Sequence, residues 1–225
     1  MALAHGPLEP LADNLWRVEG DLPGFALKRV MTIVRLSTGR LVVHNAIALN
    51  QPADLDALGS PEFLVVPNGW HRLDAAAFRA RYPAVKVLIP PAARKKVEQV
   101  LPVDLTMKEF PESDAVRFEV LEGLGGVEGV MHVRSSDGVT LVFTDAVFNL
   151  TARIPGVTGF IYHNVLGSKT GPRVTRIARW MMVKDKKAYR AHLERLAATP
   201  DLRRVVVAHG AVGDRTTLEA AVKTI

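Results

Sequence analysis

Four apolar runs of the sequence end in side chains of the kind that bind metals or transfer protons. The runs LVVHN, FLVVPNGWH, LVFTD and VVVAH lead to His44, His71, Asp145 and His209. Because ionisable groups are costly to bury without partners, we expect these four to converge. Two imidazoles and a carboxylate suit a divalent transition metal such as zinc or iron. The sequence therefore predicts that His71, Asp145 and His209 are metal ligands, with a further position open for water.

Other polar residues near these strand ends are candidates for the same site. His44 or Asp74 is predicted to act as a general base if either reaches a water molecule there. Asp74 also fits the N-cap of the helix that follows it, and Asn68 fits a turn. His163 lies in a loop rich in glycine and proline, which makes it a candidate for the rim of the site.

Length and composition limit the class of protein. The chain has 225 residues, 48% of them hydrophobic, which predicts a single domain spanning residues 1–225. There is no cysteine, so any metal must be held by His, Asp, Glu or water. No apolar run approaches the ~20 residues that a membrane helix needs, and the first residues lack the layout of a signal peptide. We therefore expect a cytoplasmic protein without a membrane partner.

The net charge of +6 is partly concentrated in residues 173–196. Such a segment can meet an anionic substrate, a phosphate or nucleic acid, although a solvated basic face is the simpler interpretation. No aromatic-rich platform for stacking bases accompanies it. The sequence leaves a homo-oligomer open.

The order of predicted elements indicates sheets packed together with helices outside. Strands are predicted within residues 14–20, 31–49, 63–68, 85–90, 116–123, 127–149 and 203–210, with a hairpin turn at Asp137-Gly138. Helices are predicted at residues 51–59, 74–82, 94–101, 184–199 and 216–225, the last with a capping box of Thr216 and Glu219. The loop 151–173 is long enough to be a lid or a substrate rim.

Four segments in this order resemble the metallo-β-lactamase fold superfamily. In that superfamily a strand enters an H-x-H-x-D-H turn, an Asp follows a later strand, and a final His follows the last core strand. VVHNAIAL, VPNGWHRLD, FTDAVFNL and VAHG are similar to the matching stretches of an uncharacterised bacterial and plant branch. The resemblance spans nearly the whole chain. It implies an α+β or α/β fold, a four-layer αββα sandwich of mixed sheets with outer helices.

The metal motif of this chain departs from that of the superfamily. A gap-free reading fills the ligand positions of the turn, in order, with Val66, Asn68, Trp70 and His71. The segment LEGLGGVEG has no histidine where the fold usually provides one. The resemblance thus implies that the three-histidine position is lost, and that the second keeps His71, Asp145 and His209 without its aspartate. Asn68 could ligate weakly, and Trp70 would make the pocket more apolar.

Three functions are compatible with these residues. The first is a hydrolase of a small molecule, with one divalent metal, zinc or else iron or manganese. The second is a metal-free binding or regulatory module, in which His44, Asp145 and His209 form a polar network. The third is a phosphate or nucleic-acid binder that uses the basic segment from Arg173 to Arg190. Lactone, thioester, phosphodiester and amide substrates all fit the fold.

Overall fold

Two β-sheets form the centre of the computed structural model, which describes residues 3–225. The strands of the first sheet are β1 (Glu9–Ala12), β2 (Leu15–Leu22), β3 (Phe25–Arg35), β4 (Arg40–His44), β5 (Ser60–Val65), β6 (Lys86–Ile89) and β7 (Leu105–Thr106). They lie side by side in chain order. Neighbours from β1 to β4 are antiparallel, and neighbours from β4 to β7 are parallel.

The second sheet and a small ribbon follow in the later part of the chain. The strands there are β8 (Val116–Val120), β9 (Gly129–Ser135), β10 (Gly138–Phe143), β11 (Phe148–Leu150), β12 (Gly171–Arg173) and β13 (Leu202–Val207). The sheet has the order β13-β10-β9-β8, and β11 pairs with β12 separately. Because β10 and β13 are parallel, their carboxyl ends lie at the same edge.

The helices lie mainly between strands, where the chain must reverse. They are α1 (Ala53–Asp56), α2 (Ala75–Arg81), α3 (Arg94–Val97), α4 (Gly156–Phe160), α5 (Arg176–Met181), α6 (Lys186–Ala197) and α7 (Arg215–Val222). A π-helical turn, Ile161–Val165, continues α4. No helix in the described chain is long and apolar enough to cross a membrane.

Alternating side chains of the central strands explain the layers. On β4, Val42 packs in a core that also contains Val142 and Val206 of the second sheet. Its neighbours Leu41 and Val43 pack instead with Phe78 and other residues of α1, α2 and α3. Successive strand residues point to opposite faces, so a strand buried on both faces reads as a continuous apolar run.

The second sheet is covered in the same way on its outer face. Leu141, Val205 and Val207 pack in one core with Leu193 of α6 and Leu218 of α7. The layers therefore run helix, sheet, sheet, helix. The predicted four-layer αββα sandwich is confirmed.

Most predicted elements form, and the differences have local causes. The hairpin at Asp137-Gly138 joins β9 and β10, as predicted. The capping box at the last helix is formed by Asp214 and Thr217 and not by Thr216 and Glu219, because the helix begins at Arg215. The loop 151–173 contains α4, the π-helical turn and β12. Helix α5 was not predicted.

Candidate metal centre

The predicted ligands His71, Asp145 and His209 come together at the edge where the strands end. His71 lies in the turn after β5, whereas Asp145 and His209 follow the parallel strands β10 and β13. The three ligand atoms lie within 4.8 Å of one another. The expectation that these strand ends converge is thus confirmed for three of the four residues.

The spacing of the three ligand atoms matches the size of a small divalent ion. His71 Nε2 is 3.1 Å from Asp145 Oδ1 and 3.2 Å from His209 Nε2. His209 Nε2 is 3.3 Å from Asp145 Oδ1. Ligands bound tetrahedrally at ~2.0–2.1 Å lie about 3.3 Å apart. The distances between the three atoms are therefore compatible with a zinc-like ion.

Outer hydrogen bonds fix the orientation of both imidazoles. His209 Nδ1 donates to Lys28 O at 2.7 Å, and its ring stacks on Phe148. His71 Nδ1 lies 3.1 Å from Asn45 Oδ1, which must be the acceptor because Asn45 Nδ2 donates to Val30 O. With both protons on Nδ1, the lone pairs of both Nε2 atoms face Asp145. Metal-binding histidines are usually held in this way.

The charges at this triangle favour a cation between the three side chains. Burial disfavours a charged imidazole, but the Asp145 carboxylate outweighs it and raises the pKa of His71. Burial would raise the pKa of Asp145, yet His71 and His209 hold it well below its usual range. Asp145 is thus ionised. Its carboxylate and the Nε2 lone pairs of His71 and His209 face the same space, which requires a metal ion or a proton.

Asn68 connects the turn of His71 to the loop of Asp145. Its Oδ1 accepts the backbone N–H groups of Trp70 and His71, which confirms the predicted turn role. Its Nδ2 donates to Asp145 Oδ2 at 2.9 Å and to Glu128 Oε2 at 3.1 Å. The amide therefore lies between two carboxylates.

Glu128 is a buried carboxylate that the sequence analysis missed. It is 0% exposed, and Oε1 accepts from the backbone N–H groups of Thr144 and Ala146. Oε2 accepts from Asp145 N in addition to Asn68. Burial and the Asp145 carboxylate raise the pKa of Glu128 to about 7, although these donors work in the opposite direction. Its contacts hold the loop that carries Asp145.

His44 and Asp74, the predicted general bases, do not line the cavity at the centre. His44 is 1% exposed, and within residues 3–225 its Nε2 has no hydrogen-bond partner. Burial lowers the pKa of His44 to about 3. Asp74 occupies the N-cap of α2 as predicted, but its side chain accepts from Arg29 and from Ala48 N. The catalytic role of either residue stays a prediction that this geometry does not favour.

Two further candidates lie in different surroundings. Trp70 is 41% exposed at the mouth of the cavity, with Lys96 Nζ 4.1 Å from its ring centroid. His163 is buried away from the cavity lining. Its Nε2 accepts from Ile154 N at 2.8 Å, and its Nδ1 donates to Ser168 O at 2.7 Å. His163 thus holds the loop together.

The cavity above the centre is mostly apolar. Its volume is about 380 Å³. The apolar wall is formed by parts of β2, β3, β11 and α5, by the turn before α2 and by the π-helical turn. Its apolar residues are Leu22, Phe25, Leu27, Trp70, Leu73, Phe148, Tyr162, Ile177, Ala178, Met181 and Met182. Arg29 also lines it, although its side chain is almost fully buried. The sequence analysis did not identify Arg29, which lies within strand β3.

Solved structures share this architecture. This chain matches 187 chains of solved structures, and one of them is in the crystal structure of VMB-1, a metallo-β-lactamase. The match to VMB-1 has a TM-score of 0.65 and 14% sequence identity, and covers 96% of this chain and 94% of VMB-1. The chain thus has the metallo-β-lactamase fold, with a His-Asp-His cluster at its strand ends. No protein-family model and no curated protein matches the sequence, so the resemblance to one branch stays a prediction.

Proposed function

We propose that this protein is a hydrolase that uses one divalent metal held by His71, Asp145 and His209. The observation that carries the proposal is the triangle of ligand atoms, 3.1–3.3 Å apart, whose two imidazoles are fixed by outer hydrogen bonds. Two imidazole lone pairs and a carboxylate that face one point, with both imidazoles held by outer partners, are the arrangement expected of a metal site.

The surroundings of Asn68 support one metal rather than two. The resemblance assigns the first metal position to three histidines, and Asn68 stands at one of them. Its Nδ2 donates to both Asp145 and Glu128. An amide donor between two carboxylates supplies part of the positive potential that a second ion would bring.

The protein's own groups would then bind, orient and exclude water. When bound, the metal supplies Lewis acidity that activates water and polarises a carbonyl or phosphoryl oxygen. Asn45 and Lys28 O hold the two imidazoles in their tautomers, and Glu128 holds the loop of Asp145. Arg29 is paired with Asp74, so its guanidinium braces the cavity wall while its charge is balanced within the protein.

The cavity favours a small molecule with a substantial apolar portion. Its volume of about 380 Å³ is at the lower end of ligand sites. We propose an ester, lactone or thioester with an apolar acyl or aromatic group, because the wall is mainly aliphatic and aromatic. Zinc is the first choice of metal, and iron or manganese would also suit the same donors.

Metal analysis of protein purified without a histidine tag tests the proposal. We expect close to one equivalent of a divalent metal, lost in the His71→Ala/His209→Ala double variant. His5→Gln is the matched control, because His5 lies at the N-terminus and contacts Asn50 N instead of the cavity. The control variant should keep its metal.

Added metal should also raise the thermal stability of the chelator-treated protein, because a ligand bound only by the native state stabilises it. A tag-free protein that contains no metal, and whose melting temperature does not respond to zinc, iron or manganese, would refute the proposal.

The metal-free alternative has one observation in its favour. Because Asp145 raises the pKa of His71, a protonated imidazole could occupy the same triangle and satisfy the carboxylate. The protein would then be a binding module for the same apolar ligands. The metal titration separates the two proposals, since a protonated triangle gains no stability from added metal.

A further inference from the structure

The exposed apolar side chains of this protein concentrate in the cavity lining and in one segment of the chain that contributes to that lining. In the part of the chain that the structure describes, ten large apolar residues are exposed. All but Val100 lie either at the mouth or in residues 151–183, hereafter the cover segment; they are Phe25, Trp70, Leu73, Val157, Phe160, Ile161, Val165, Trp180 and Met181. A concentration of this kind marks an interaction surface.

The cover segment joins this surface directly to the cavity. Tyr162 lines the cavity, and its ring centroid is 6.3 Å from that of Phe25 at the mouth. The next residue before it, Ile161, is 45% exposed. On α5, Ile177 and Ala178 line the cavity, whereas Trp180 is 81% exposed. One face of the segment therefore closes the cavity, and the other carries apolar groups outward.

The charge of the cover segment has one sign. It contains no Asp or Glu, and its basic residues are Arg153, Lys169, Arg173, Arg176 and Arg179. Arg153, Lys169 and Arg176 are exposed. Among residues 3–225, none of these five basic side chains takes part in an ion pair. Arg173 and Arg176 instead donate to backbone carbonyls within the segment, which leaves their charge uncompensated.

We propose that the cover segment docks on the surface of an anionic phospholipid membrane. Short helical stretches with Phe, Trp and Ile outward and with Arg and Lys alongside match the two forces of interfacial binding, apolar insertion and attraction to acidic headgroups. A second copy of this chain fits less well, because a symmetric contact would bring the five cations against five others. Such docking needs no spanning helix.

Docking in this orientation turns the cavity mouth toward the bilayer. Phe25, Trp70 and Leu73 would meet the headgroup region together with Phe160 and Trp180. An amphiphilic compound dissolved in the membrane could then reach the apolar wall without crossing water. Membrane binding itself does not depend on the proposed hydrolase activity.

Vesicle sedimentation with the full-length protein tests this inference. The probes are vesicles of phosphatidylcholine alone and vesicles with phosphatidylglycerol added, each at low and at physiological salt. We expect binding to the anionic vesicles, weaker binding as salt rises, and little binding to phosphatidylcholine. Phe160→Ser/Trp180→Ser should reduce binding about tenfold or more, because two inserted side chains are lost. Arg153→Gln/Lys169→Gln should reduce it by about fivefold for each cation.

Matched variants remove similar groups elsewhere on the surface. Val100→Ser removes the exposed apolar residue outside the patch, and Lys95→Gln/Lys108→Gln removes two exposed cations. Both should bind vesicles like the wild type. Unchanged circular dichroism and metal content would show that the cover-segment variants are folded, and would separate this test from that of the metal centre.

Four results would overturn the inference. The first is the absence of sedimentation with anionic vesicles at low salt. The second is equal binding by the Phe160/Trp180 variant, which would leave charge alone responsible. The third is a dimer in light scattering that the same substitutions dissociate while vesicle binding is absent, which would assign the surface to a second copy. Binding to short DNA strands in place of vesicles would likewise count against it.

Discussion

Glu128 organises the candidate metal centre without contacting the triangle of ligand atoms. Its carboxylate accepts hydrogen bonds from three successive backbone N–H groups, at Thr144, Asp145 and Ala146, and from Asn68. A carboxylate surrounded by donors cannot be replaced by a group that must itself donate. The position of Asp145 therefore depends on a residue distant from it in sequence.

We predict that Glu128→Gln weakens both folding and metal binding. At a pH above the Glu128 pKa of about 7, where its carboxylate is ionised, the amide N–H₂ of glutamine would face a donor in its place. This leaves buried groups unpaired at a cost of about 1–3 kcal/mol in the free energy of unfolding. Metal affinity should fall about 10–100-fold, as is typical when outer partners of a ligand are removed. Urea unfolding and a metal titration with a competing chelator measure the two effects.

Glu122→Gln is the matched substitution, because Glu122 lies in the same segment and is exposed. It should leave both quantities unchanged. Equal metal affinity in the Glu128 variant and the wild type would show that Glu128 does not position Asp145.

The sequence analysis identified the three residues of the triangle but missed the residues that hold them in place. His71, Asp145 and His209 follow apolar runs, and the edge at which strands end is set by general geometry. The sequence analysis assigned His44 to the candidate site and missed its neighbour Asn45. The chain takes a left-handed conformation at Asn45, with φ of 60°, and it is Asn45 that reaches His71. A pattern of apolar residues does not indicate which single residue after a strand takes a left-handed conformation.

At the scale of elements, the cover segment is the region where the pattern of apolar residues did not predict the secondary structure. Helix α5 was not predicted because RIARWM is short and carries the large apolar Trp180 outward, which is opposite to the usual arrangement of a surface helix. The loop expected at 151–173 contains short helices held by His163. The expectation of no membrane partner rested on the lack of a long apolar run, which does not address a patch assembled from short elements.

We predict that His163→Ala loosens the cover segment locally. His163 ties Ile154 N to Ser168 O, so its loss removes a hydrogen-bonded brace across the whole of α4 and the π-helical turn. Amide hydrogen exchange should become faster in residues 154–168, while exchange in β10 and β13 stays unchanged.

His5→Ala is a suitable comparison, since His5 also accepts from a backbone N–H group, that of Asn50, but at another site. Uniformly faster exchange across the protein in the His163 variant would instead indicate a global loss of stability.

At the scale of the whole molecule, buried His44 links stability to pH. Its pKa is about 3 in the folded protein and near 6.5 in the unfolded chain. Between these values the unfolded chain binds a proton that the folded protein does not. Stability should therefore fall as pH falls below about 6.5, by about 3 kcal/mol at pH 4 from this residue alone.

His44→Leu should remove this part of the pH dependence. The variant loses a group whose Nε2 is unpaired within the described chain, so we expect little cost at pH 7. Urea unfolding of chelator-treated protein between pH 7 and pH 4 measures the slope. The pKa values of Asp145 and Glu128 also differ between the folded protein and the unfolded chain. The test therefore compares the pH dependence of the free energy of unfolding in the variant with that in the wild type. Identical slopes would contradict the prediction.

The ligand triangle has a mechanical consequence because its members come from different sheets. His71 follows β5 of the first sheet, whereas Asp145 and His209 follow β10 and β13 of the second. A bound ion would join the two halves of the sandwich as a disulfide does in secreted proteins, in a chain that has no cysteine. Sliding of one sheet over the other would stretch metal–ligand bonds. The metal-loaded protein should thus unfold as one unit and more slowly than the apoprotein, whose halves are joined by apolar contacts and hydrogen bonds.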